Sequence, residues 1–397
     1  MHILFLADSV CGDLSGGAQV AAWALAEGLE ERGHDITFLV PRQTEIPPDD
    51  EMRGRIRIVR YIGAGQGGKF IRQGRDACKK LCAVTRFDLV HTHFAYAAVG
   101  PLQAIPKSIP RIRTFHGPWD QEGWLEECRT SNLCSLLKAA IKRKIRRHFE
   151  TINLVSSLKV LTLSNCFANM AREDYKVKPE RIHIIPGGAD LNRFCLTDSK
   201  NSIRQRLGLP QDRRIILTVR RLAPRMGLDN LIESMTSVVD RNRDILLLVG
   251  GKGPEQDRLN TAIKSLGLEA HVRLVGFIPD VDLAAYYQAS DLFVLPTLAL
   301  EGFGLVVTEA LACGIPVIGT PIAAIPEILR DLDPGLIAAG TDSSSLADTI
   351  NAFLEGSRTK KLTPQFLRKY VEDRYGWNRH IDAVECIYKE LYHNSSR

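Results

Sequence analysis

Short apolar runs alternate with amphipathic segments along most of the chain. Seven runs lie in the first half, at 2–8, 35–40, 56–62, 87–93, 111–117, 159–164 and 181–187. Five more lie in the second half, at 215–222, 245–253, 272–278, 292–297 and 316–320. Continuous apolar runs separated by helical stretches are typical of parallel strands that are buried on both faces. The pattern therefore predicts an α/β fold with two doubly wound sheets.

The alternation stops once, in a segment rich in Gly, Asp, Asn and Ser at 186–214. We place a linker there and predict one domain over 1–190 and a second over 191–376, followed by an amphipathic helix over 377–397. Ligands of doubly wound sheets bind at the carboxyl ends of the strands, so each domain is expected to carry part of a site there.

Composition is typical of a globular protein that does not span a membrane. The chain has 397 residues, of which 45% are hydrophobic and 25% charged, with no apolar run long enough for a transmembrane helix. The first residues lack the features of a signal peptide. Nine cysteines are scattered without a CxxC pair, which favours reduced thiols in the cytoplasm.

The net charge of +6 is unevenly distributed. The segment 138–147 carries six bases and no acid, and Leu137, Ile141, Ile145 and Phe149 follow at steps of four residues. Two interpretations remain open: a solvated face on a helix packed against the body, or a helix that contacts an anionic membrane. Nucleic acid is not an expected partner, since no aromatic residues interleave with the bases and no DNA-binding pattern is present.

The strongest candidate chemistry lies at 300–314, LEGFGLVVTEALACG. Glu301 precedes the turn Gly302–Gly304, and Glu309 follows within a predicted helix. A helix N-terminus with glycines can bind a phosphate, and acids on either side can bind neutral hydroxyls. A pair of glycosidase carboxylates would not explain the glycines. Helix-start acids without a ligand role are the structural alternative.

Six motifs in order resemble retaining glycosyltransferases of family 4. EGFGLVVTEALACGIPVIGT resembles the E-x7-E signature, and SGGAQ, TFHGP, IIPGGADLNRF, VRRLAPRMGLDNLIES and the pair LLLVGGKGPE and VRLVGFIPD resemble the accompanying segments. Gly187 stands where asparagine is usual. The resemblance implies a GT-B fold, in which two Rossmann-like domains face a central cleft and the final helix packs back on the first domain.

The resemblance also implies residue roles. Glu301 would bind the hydroxyls of the donor sugar with the amides of Phe303 and Gly304, and Glu309 would bind the ribose. The amides of Leu305 and Val306 would meet the diphosphate, which Gly16 and Gly17 would also face. Ile278 would offer backbone groups to the base, with Leu283 packed on it.

Histidines and arginines complete the expected site. His116 ends a strand and is expected to be exposed where it contacts the transferred sugar; His93 is an acceptor-side candidate, and His91 is assigned to the core. Arg221 matches a diphosphate-binding arginine, but Met226 stands where the family has lysine. We predict that Arg225 replaces that lysine, the alternative being an exposed Arg225.

The expected activity is transfer of a hexose from UDP-glucose, or another UDP-sugar or GDP-sugar, to a glycan or lipid-linked acceptor, forming an α-linkage. Cell-surface polysaccharide synthesis is the expected setting, in the cytoplasm or at the inner face of the membrane. No cofactor is expected, and Asp280–Asp282 and Asp331–Asp333 are not predicted to bind metal. A nucleotide-sugar epimerase or hydrolase, and a non-catalytic sensor, are the alternatives.

Overall fold

The computed structural model describes residues 1–10, 12, 16–42, 50–63, 67–128, 132–197, 199–356 and 362–395. It divides into two compact units. The first contains Met1–Gly188 together with Trp377–Arg397, and the second contains Ala189–Gly376. These divisions lie within two residues of the boundaries expected from the sequence.

The first unit is built on an eight-stranded sheet with the order β3-β4-β2-β1-β5-β6-β7-β8. The strands are β1 (His2–Leu6), β2 (Asp35–Arg42), β3 (Asp50–Arg53), β4 (Ile56–Ile62), β5 (Leu89–Thr92), β6 (Arg111–Phe115), β7 (Lys159–Thr162) and β8 (Ile182–Ile184). All neighbours are parallel except β3, which pairs antiparallel with β4 at the edge. The expectation of an all-parallel sheet was wrong at this strand, whose polar sequence DEMR gives no strand signal.

Helices cover both faces of this sheet. They are α1 (Gly17–Glu31), α2 (Gly68–Val84), α3 (Ala95–Val99), α4 (Trp119–Glu127), α5 (Leu133–Ser156) and α6 (Asn165–Glu173). Along β1, Ile3 and Phe5 join one buried cluster, which includes residues of α1, while Leu4 and Leu6 join another, which includes residues of α2. Successive strand residues point to opposite faces, so β1 is apolar throughout because both faces are buried.

The second unit has five parallel strands in the order β11-β10-β9-β12-β13. They are β9 (Arg214–Val219), β10 (Ile245–Gly250), β11 (Val272–Gly276), β12 (Leu292–Leu295) and β13 (Val317–Gly319). The helices are α7 (Lys200–Arg206), α8 (Leu228–Arg241), α9 (Gln256–Ser265), α10 (Asp280–Ala289), α11 (Leu305–Ala312), α12 (Ile325–Leu329), α13 (Ser343–Leu354) and α14 (Pro364–Arg374). The strand order reverses between β9 and β12, which is where such sheets bind ligands.

The last helix, α15 (Trp377–Ser395), belongs to the first unit. Its apolar residues Ile381, Val384, Ile387, Tyr388 and Leu391 join the buried cluster that contains α1 and one face of β1. The contact with α1 is close: a Cβ added at Gly28 would lie 2.1 Å from Ile381 Cδ1. A larger residue at position 28 would therefore separate the two helices.

Candidate active site

In the second unit, side chains from the carboxyl ends of β9 and β12 meet at the point where the strand order reverses. The Arg220 guanidinium donates to Glu301 Oε2 at 2.8 Å and to Thr297 Oγ1 at 2.6 Å. Thr297 Oγ1 also donates to Glu301 Oε2, at 3.3 Å. The Arg220 and Glu301 side chains are only 8% and 15% exposed, so the carboxylate is held in one position.

Glu301 lies directly before the N-terminus of α11. Gly304 is the N-cap residue and adopts the left-handed conformation, with φ +88° and ψ +61°. The first amides of a helix have no partner within it, so those of Leu305 and Val306 are left for a partner outside α11. Phe303 is buried, and its ring packs against Tyr375 at a centroid distance of 5.5 Å.

The loop before Glu301 has an unfavourable backbone conformation. Leu300 has φ +61°, a value that costs a residue with a side chain about 1–2 kcal/mol. Its carbonyl accepts a hydrogen bond from Arg225 Nη1 at 2.9 Å, and Ala324 N donates to the Glu301 carbonyl at 3.3 Å. The surrounding structure therefore holds a strained segment beside Glu301, as is common at functional sites.

Glu309 is buried within α11 and accepts a hydrogen bond from the Tyr287 hydroxyl at 2.9 Å. Burial raises the pKa of Glu309 to about 7, although the Tyr287 hydrogen bond acts in the opposite direction. Ile278 is buried after β11, with its side chain against Gly250, and Leu283 is half-buried on α10.

The three positions around the missing lysine have different environments. Arg221 is exposed, whereas Arg225 is half-buried and donates to the Leu300 carbonyl. Met226 is buried, and its Sδ lies 2.8 Å from Arg220 Nη2. Sequence reasoning gave Arg221 the site role; the structure brings Arg220 to Glu301 instead. Neighbouring residues in an extended segment point to opposite sides, but a pair of adjacent arginines does not tell which of them points inward.

In the first unit, Gly16 and Gly17 lie at the start of α1 as expected. Gly16 is extended, with φ −131°, and a Cβ added there would lie 2.5 Å from Gln19 Oε1. Gln19 in turn donates to Asp8 Oδ1 at 3.1 Å, at the carboxyl end of β1. Ser15 of the SGGAQ motif lies outside the described residues.

Three histidines follow one another at the carboxyl ends of β5 and β6. His91 is fully buried between the Tyr388 hydroxyl and Thr114 Oγ1, which confirms its assignment to the core. His93 Nδ1 lies 3.0 Å from His116 Nε2. His116 was expected to be exposed, but it is half-buried, and burial lowers its pKa to about 3. Burial also lowers the pKa of His93 well below its usual value, so both imidazoles are neutral at physiological pH.

His93 and His116 line a cavity of about 470 Å³ in the first unit. Aromatic side chains form part of its wall, including Phe94, Tyr96 and Trp119. Its acidic and basic residues besides the two histidines are Asp8, Arg42, Glu122 and the buried pair Arg113–Glu150, whose Nη2 and Oε1 atoms are 2.7 Å apart. The volume is in the range of small-ligand sites, and the mixture of rings and hydrogen-bonding groups fits a polyhydroxylated ring.

Among the described residues, no group of three or more His, Cys, Asp or Glu side chains is arranged to hold a metal ion. Within the same residues, none of the helices is both apolar enough and long enough to cross a bilayer.

Two family models match the chain. "Glycosyltransferase Family 4" matches residues 15–193, and "Glycosyl transferases group 1" matches residues 199–369. Phosphatidyl-myo-inositol mannosyltransferase of Mycobacterium leprae is 26% identical over 97% of this chain and 96% of its own length.

Two solved structures extend the comparison to the fold. Sucrose-phosphate synthase from Thermosynechococcus elongatus matches with a TM-score of 0.82 and 23% identity, covering 99% of both chains. The Anabaena protein HepE in complex with UDP-glucose matches with a TM-score of 0.76 and 20% identity, covering 98% of this chain and all of its own.

Proposed function

Because the chain belongs to glycosyltransferase family 4 and has the GT-B fold, we propose that it transfers a hexose from a nucleoside diphosphate sugar with retention of anomeric configuration. UDP-glucose is the proposed donor. The acceptor is a glycan or a lipid-linked molecule, the product has an α-linkage, and the setting is cell-surface polysaccharide synthesis in the cytoplasm or at the inner face of the membrane.

The observation that carries this proposal is the position of Glu301. Its carboxylate, held by Arg220 and Thr297, lies next to the amides that open α11. A carboxylate beside an anion-binding helix end suits a ligand that has neutral hydroxyls next to a diphosphate. A sugar nucleotide has these two features side by side.

The reaction proceeds on one face of the sugar. The bond between the anomeric carbon and the diphosphate oxygen breaks, and the diphosphate leaves with the electron pair. The acceptor oxygen forms the new bond and passes its proton to the leaving diphosphate. The amides of Leu305 and Val306 stabilise the charge that develops on the leaving group, together with nearby arginines.

The nucleoside is held by residues around Glu309. As a buried carboxylate, Glu309 accepts hydrogen bonds from the ribose hydroxyls, while Ile278 offers backbone groups to the base and Leu283 packs on it. The UDP-glucose bound to the Anabaena protein supports a uridine donor, with guanosine as the other candidate.

The cavity in the first unit is the proposed acceptor site. Neutral His93 and His116 exchange hydrogen bonds with hydroxyls, and Trp119 and Tyr96 provide faces for a sugar ring. No metal is required in this scheme, because helix amides and arginines neutralise the diphosphate; transfer is therefore expected to be unchanged by EDTA.

The test compares Glu301→Ala with Glu309→Ala. Calorimetric titration with UDP should show nearly parent affinity for Glu301→Ala, which contacts only the sugar, and a weakened affinity for Glu309→Ala. Transfer from UDP-glucose to acceptor should be strongly reduced in Glu301→Ala. Equal losses of UDP affinity would contradict this division of roles.

The same assay separates the alternatives. A hydrolase or epimerase would release free glucose or convert the donor at the full rate without an acceptor. A sensor would bind UDP-glucose without turnover, and Glu301→Ala would leave its partner binding unchanged. Either result would replace the transferase proposal.

A further inference from the structure

Helix α5 has its apolar stripe on the outside. Six aliphatic side chains between positions 133 and 155 are exposed: Leu133 70%, Leu137 58%, Ile141 60%, Ile145 50%, Ile152 51% and Val155 44%. At 100° per residue they occupy about one third of the helix circumference over a length of roughly 33 Å. We call these six residues the aliphatic face.

The opposite side of α5 packs on the first unit through both apolar and polar side chains. Ala139, Glu150, Asn153 and Leu154 are buried, and Glu150 pairs with Arg113. Arg146 Nη2 contacts Glu127 Oε1 at 2.6 Å, and Arg147 donates to the Asp174 carbonyl at 2.7 Å. The basic segment is thus divided, since these two arginines bond to neighbouring elements of the first unit.

This orientation bears on the two interpretations of 138–147 that the sequence left open. A helix packed on the body by its apolar stripe would bury Leu137, Ile141 and Ile145, and all three are at least half exposed. Three arginines of this segment interact within the first unit: Arg143 with Asp120, Arg146 with Glu127 and Arg147 with the Asp174 carbonyl. Contact between the segment and lipid stays a prediction.

Lysines lie beside the aliphatic face and, in the case of Lys144, within it. Lys138, Lys142 and Lys144 are exposed, and neither Lys138 nor Lys144 forms an ion pair within the described residues. Lys142 lies 3.4 Å from Glu127, but its side chain is 55% exposed. From 132 to 149 the helix contains no acid. The charged side chains on the outward surface of α5 between 132 and 149 are therefore all basic, and they lie next to exposed aliphatic side chains.

We propose that the aliphatic face of α5 inserts into the interfacial region of a bilayer that contains anionic lipid, with Lys138, Lys142 and Lys144 at the level of the headgroups. An exposed apolar stripe of this length is costly in water and is typical of interfacial helices. The accompanying lysines match the negative surface of such a bilayer, whereas a second copy of the chain would bring like charges together.

Docking through α5 would also affect the position of the cavity in the first unit. Glu150, on the opposite side of α5, lines the cavity, as do Trp119 and Glu122 of α4, the helix against which α5 packs. Docking through the aliphatic face would hold the cavity close to the membrane surface. This consequence rests on the proposed acceptor site, but docking itself does not.

The test is co-sedimentation of the full chain with vesicles of phosphatidylcholine alone and with 30% phosphatidylglycerol. The chain should bind the anionic vesicles, and 1 M salt should weaken binding by screening the lysines. A lysine near an anionic surface is worth about a fivefold change in partitioning, so Lys138→Gln/Lys142→Gln/Lys144→Gln should lower it on the order of a hundredfold. The matched control Lys69→Gln/Lys79→Gln/Lys80→Gln, on α2, should bind like the parent.

A second pair of variants tests insertion. Ile141→Gln/Ile145→Gln should lower vesicle binding at least tenfold, while Val84→Gln, at an exposed position on α2, should not. Thermal unfolding should be nearly unchanged in both, since no buried side chain is altered. Binding that is independent of anionic lipid, or insensitive to Ile141→Gln/Ile145→Gln, would overturn the proposal.

Two further measurements complete the design. A dimer in light scattering that Ile141→Gln/Ile145→Gln converts to a monomer would assign the aliphatic face to a second copy and overturn the proposal. Glu301→Ala should bind vesicles like the parent while losing transfer, so failure of docking and failure of the proposed activity remain distinguishable.

Discussion

Arg220 and Arg221 are adjacent in sequence but differ in environment. Arg220 is enclosed beside Glu301 and Met226, whereas Arg221 is exposed. The buried Arg220 guanidinium lies beside Met226, the residue at the position where the family has lysine. Arg220 therefore places a positive charge next to Glu301. Residue type and motif position were readable from the sequence. Which of the two arginines points inward depends on the path of the chain after β9.

We predict that Arg220→Ala reduces transfer at least a hundredfold, because Glu301 loses its charged partner in a site largely closed to water. Arg220→Lys should recover part of the rate, since lysine keeps the charge but cannot make both hydrogen bonds. Arg221→Ala is the matched control. If Arg221→Ala lost more transfer activity than Arg220→Ala, the functional arginine would be Arg221, which matches the family motif.

The sequence also predicted that Arg225 replaces the missing lysine, and this stays a prediction. Its hydrogen bond to the Leu300 carbonyl offers a second explanation for any loss in Arg225→Ala. The double variant Arg225→Ala/Met226→Lys distinguishes loss of a charge that binds the diphosphate from loss of the hydrogen bond to Leu300. Restored UDP affinity would indicate a missing charge, and no recovery would indicate a role in holding the strained loop.

Glu309 should give UDP binding a pH dependence near neutrality. Its pKa of about 7 means that half the ligand-free protein lacks the carboxylate charge at that pH. Affinity for UDP should therefore fall between pH 8 and pH 6 more steeply in the parent than in Glu309→Gln. Because UDP titrates equally in both experiments, the difference between the parent and Glu309→Gln reports on Glu309 alone. Parallel curves of UDP affinity against pH would contradict the assignment of Glu309 to the nucleoside.

The same carboxyl should affect stability with a definite sign. The folded pKa lies above the unfolded value of 4.5, so the contribution of Glu309 to the free energy of unfolding is complete below pH 4.5 and is lost as pH rises through about 7. The loss could reach about 3 kcal/mol, at 1.36 kcal/mol per pKa unit. Urea denaturation of the parent and Glu309→Gln at pH 5 and pH 8 measures it.

At the scale of elements, α11 depends on its first residue. Gly304 has φ +88°, and a Cβ added there would lie 3.3 Å from Val307 Cγ2. The sequence indicated this helix start because glycine is the residue that adopts such a conformation freely. By contrast, the sequence located α5 but left its orientation open, since an aliphatic stripe has the same spacing whether it faces the core or the solvent.

Gly304→Ala is expected to destabilise the protein by about 1–2 kcal/mol and to weaken UDP binding at least tenfold, because the strained residue sits at the end of α11 that we propose binds the diphosphate. Gly267→Ala is the control: Gly267 has φ +66°, with no atom within 4 Å of an added Cβ, at the end of α9. Gly267→Ala should lower the free energy of unfolding by a similar amount and leave the affinity for UDP unchanged. Thermal unfolding with and without UDP measures both effects.

At the scale of the molecule, the apolar runs in the sequence predicted most of the strands of the two sheets. The strands that they predicted are all present, and β3, the strand they omitted within the described residues, is a polar edge strand. Strand order was not readable in this way, since it is set by contacts between distant segments. The position of α15 was implied by the family resemblance, because its amphipathic pattern shows that one side is buried but not against what.

The division into units predicts which fragments fold. Residues 189–376 should unfold cooperatively when expressed alone and bind UDP within about tenfold of the full chain, since Glu301, Arg220 and Glu309 all lie there. Residues 1–188 should aggregate, because Ile381, Val384 and Tyr388 are missing from their core. A Cβ added at Gly188 would lie 2.8 Å from Trp377 N, so a short linker from 188 to 377–395 should restore solubility.

The return of α15 to the first unit also sets an order of events during translation. Domains usually fold as they are made, the N-terminal one first. Here the first unit is synthesised early but cannot complete its core until residues 377–395 have left the ribosome, which happens after the whole second unit has emerged. Chains that end at residue 376 and are released from the ribosome should have a protease-resistant second unit and a protease-sensitive first unit, whose binding surface for α15 stays open to chaperones.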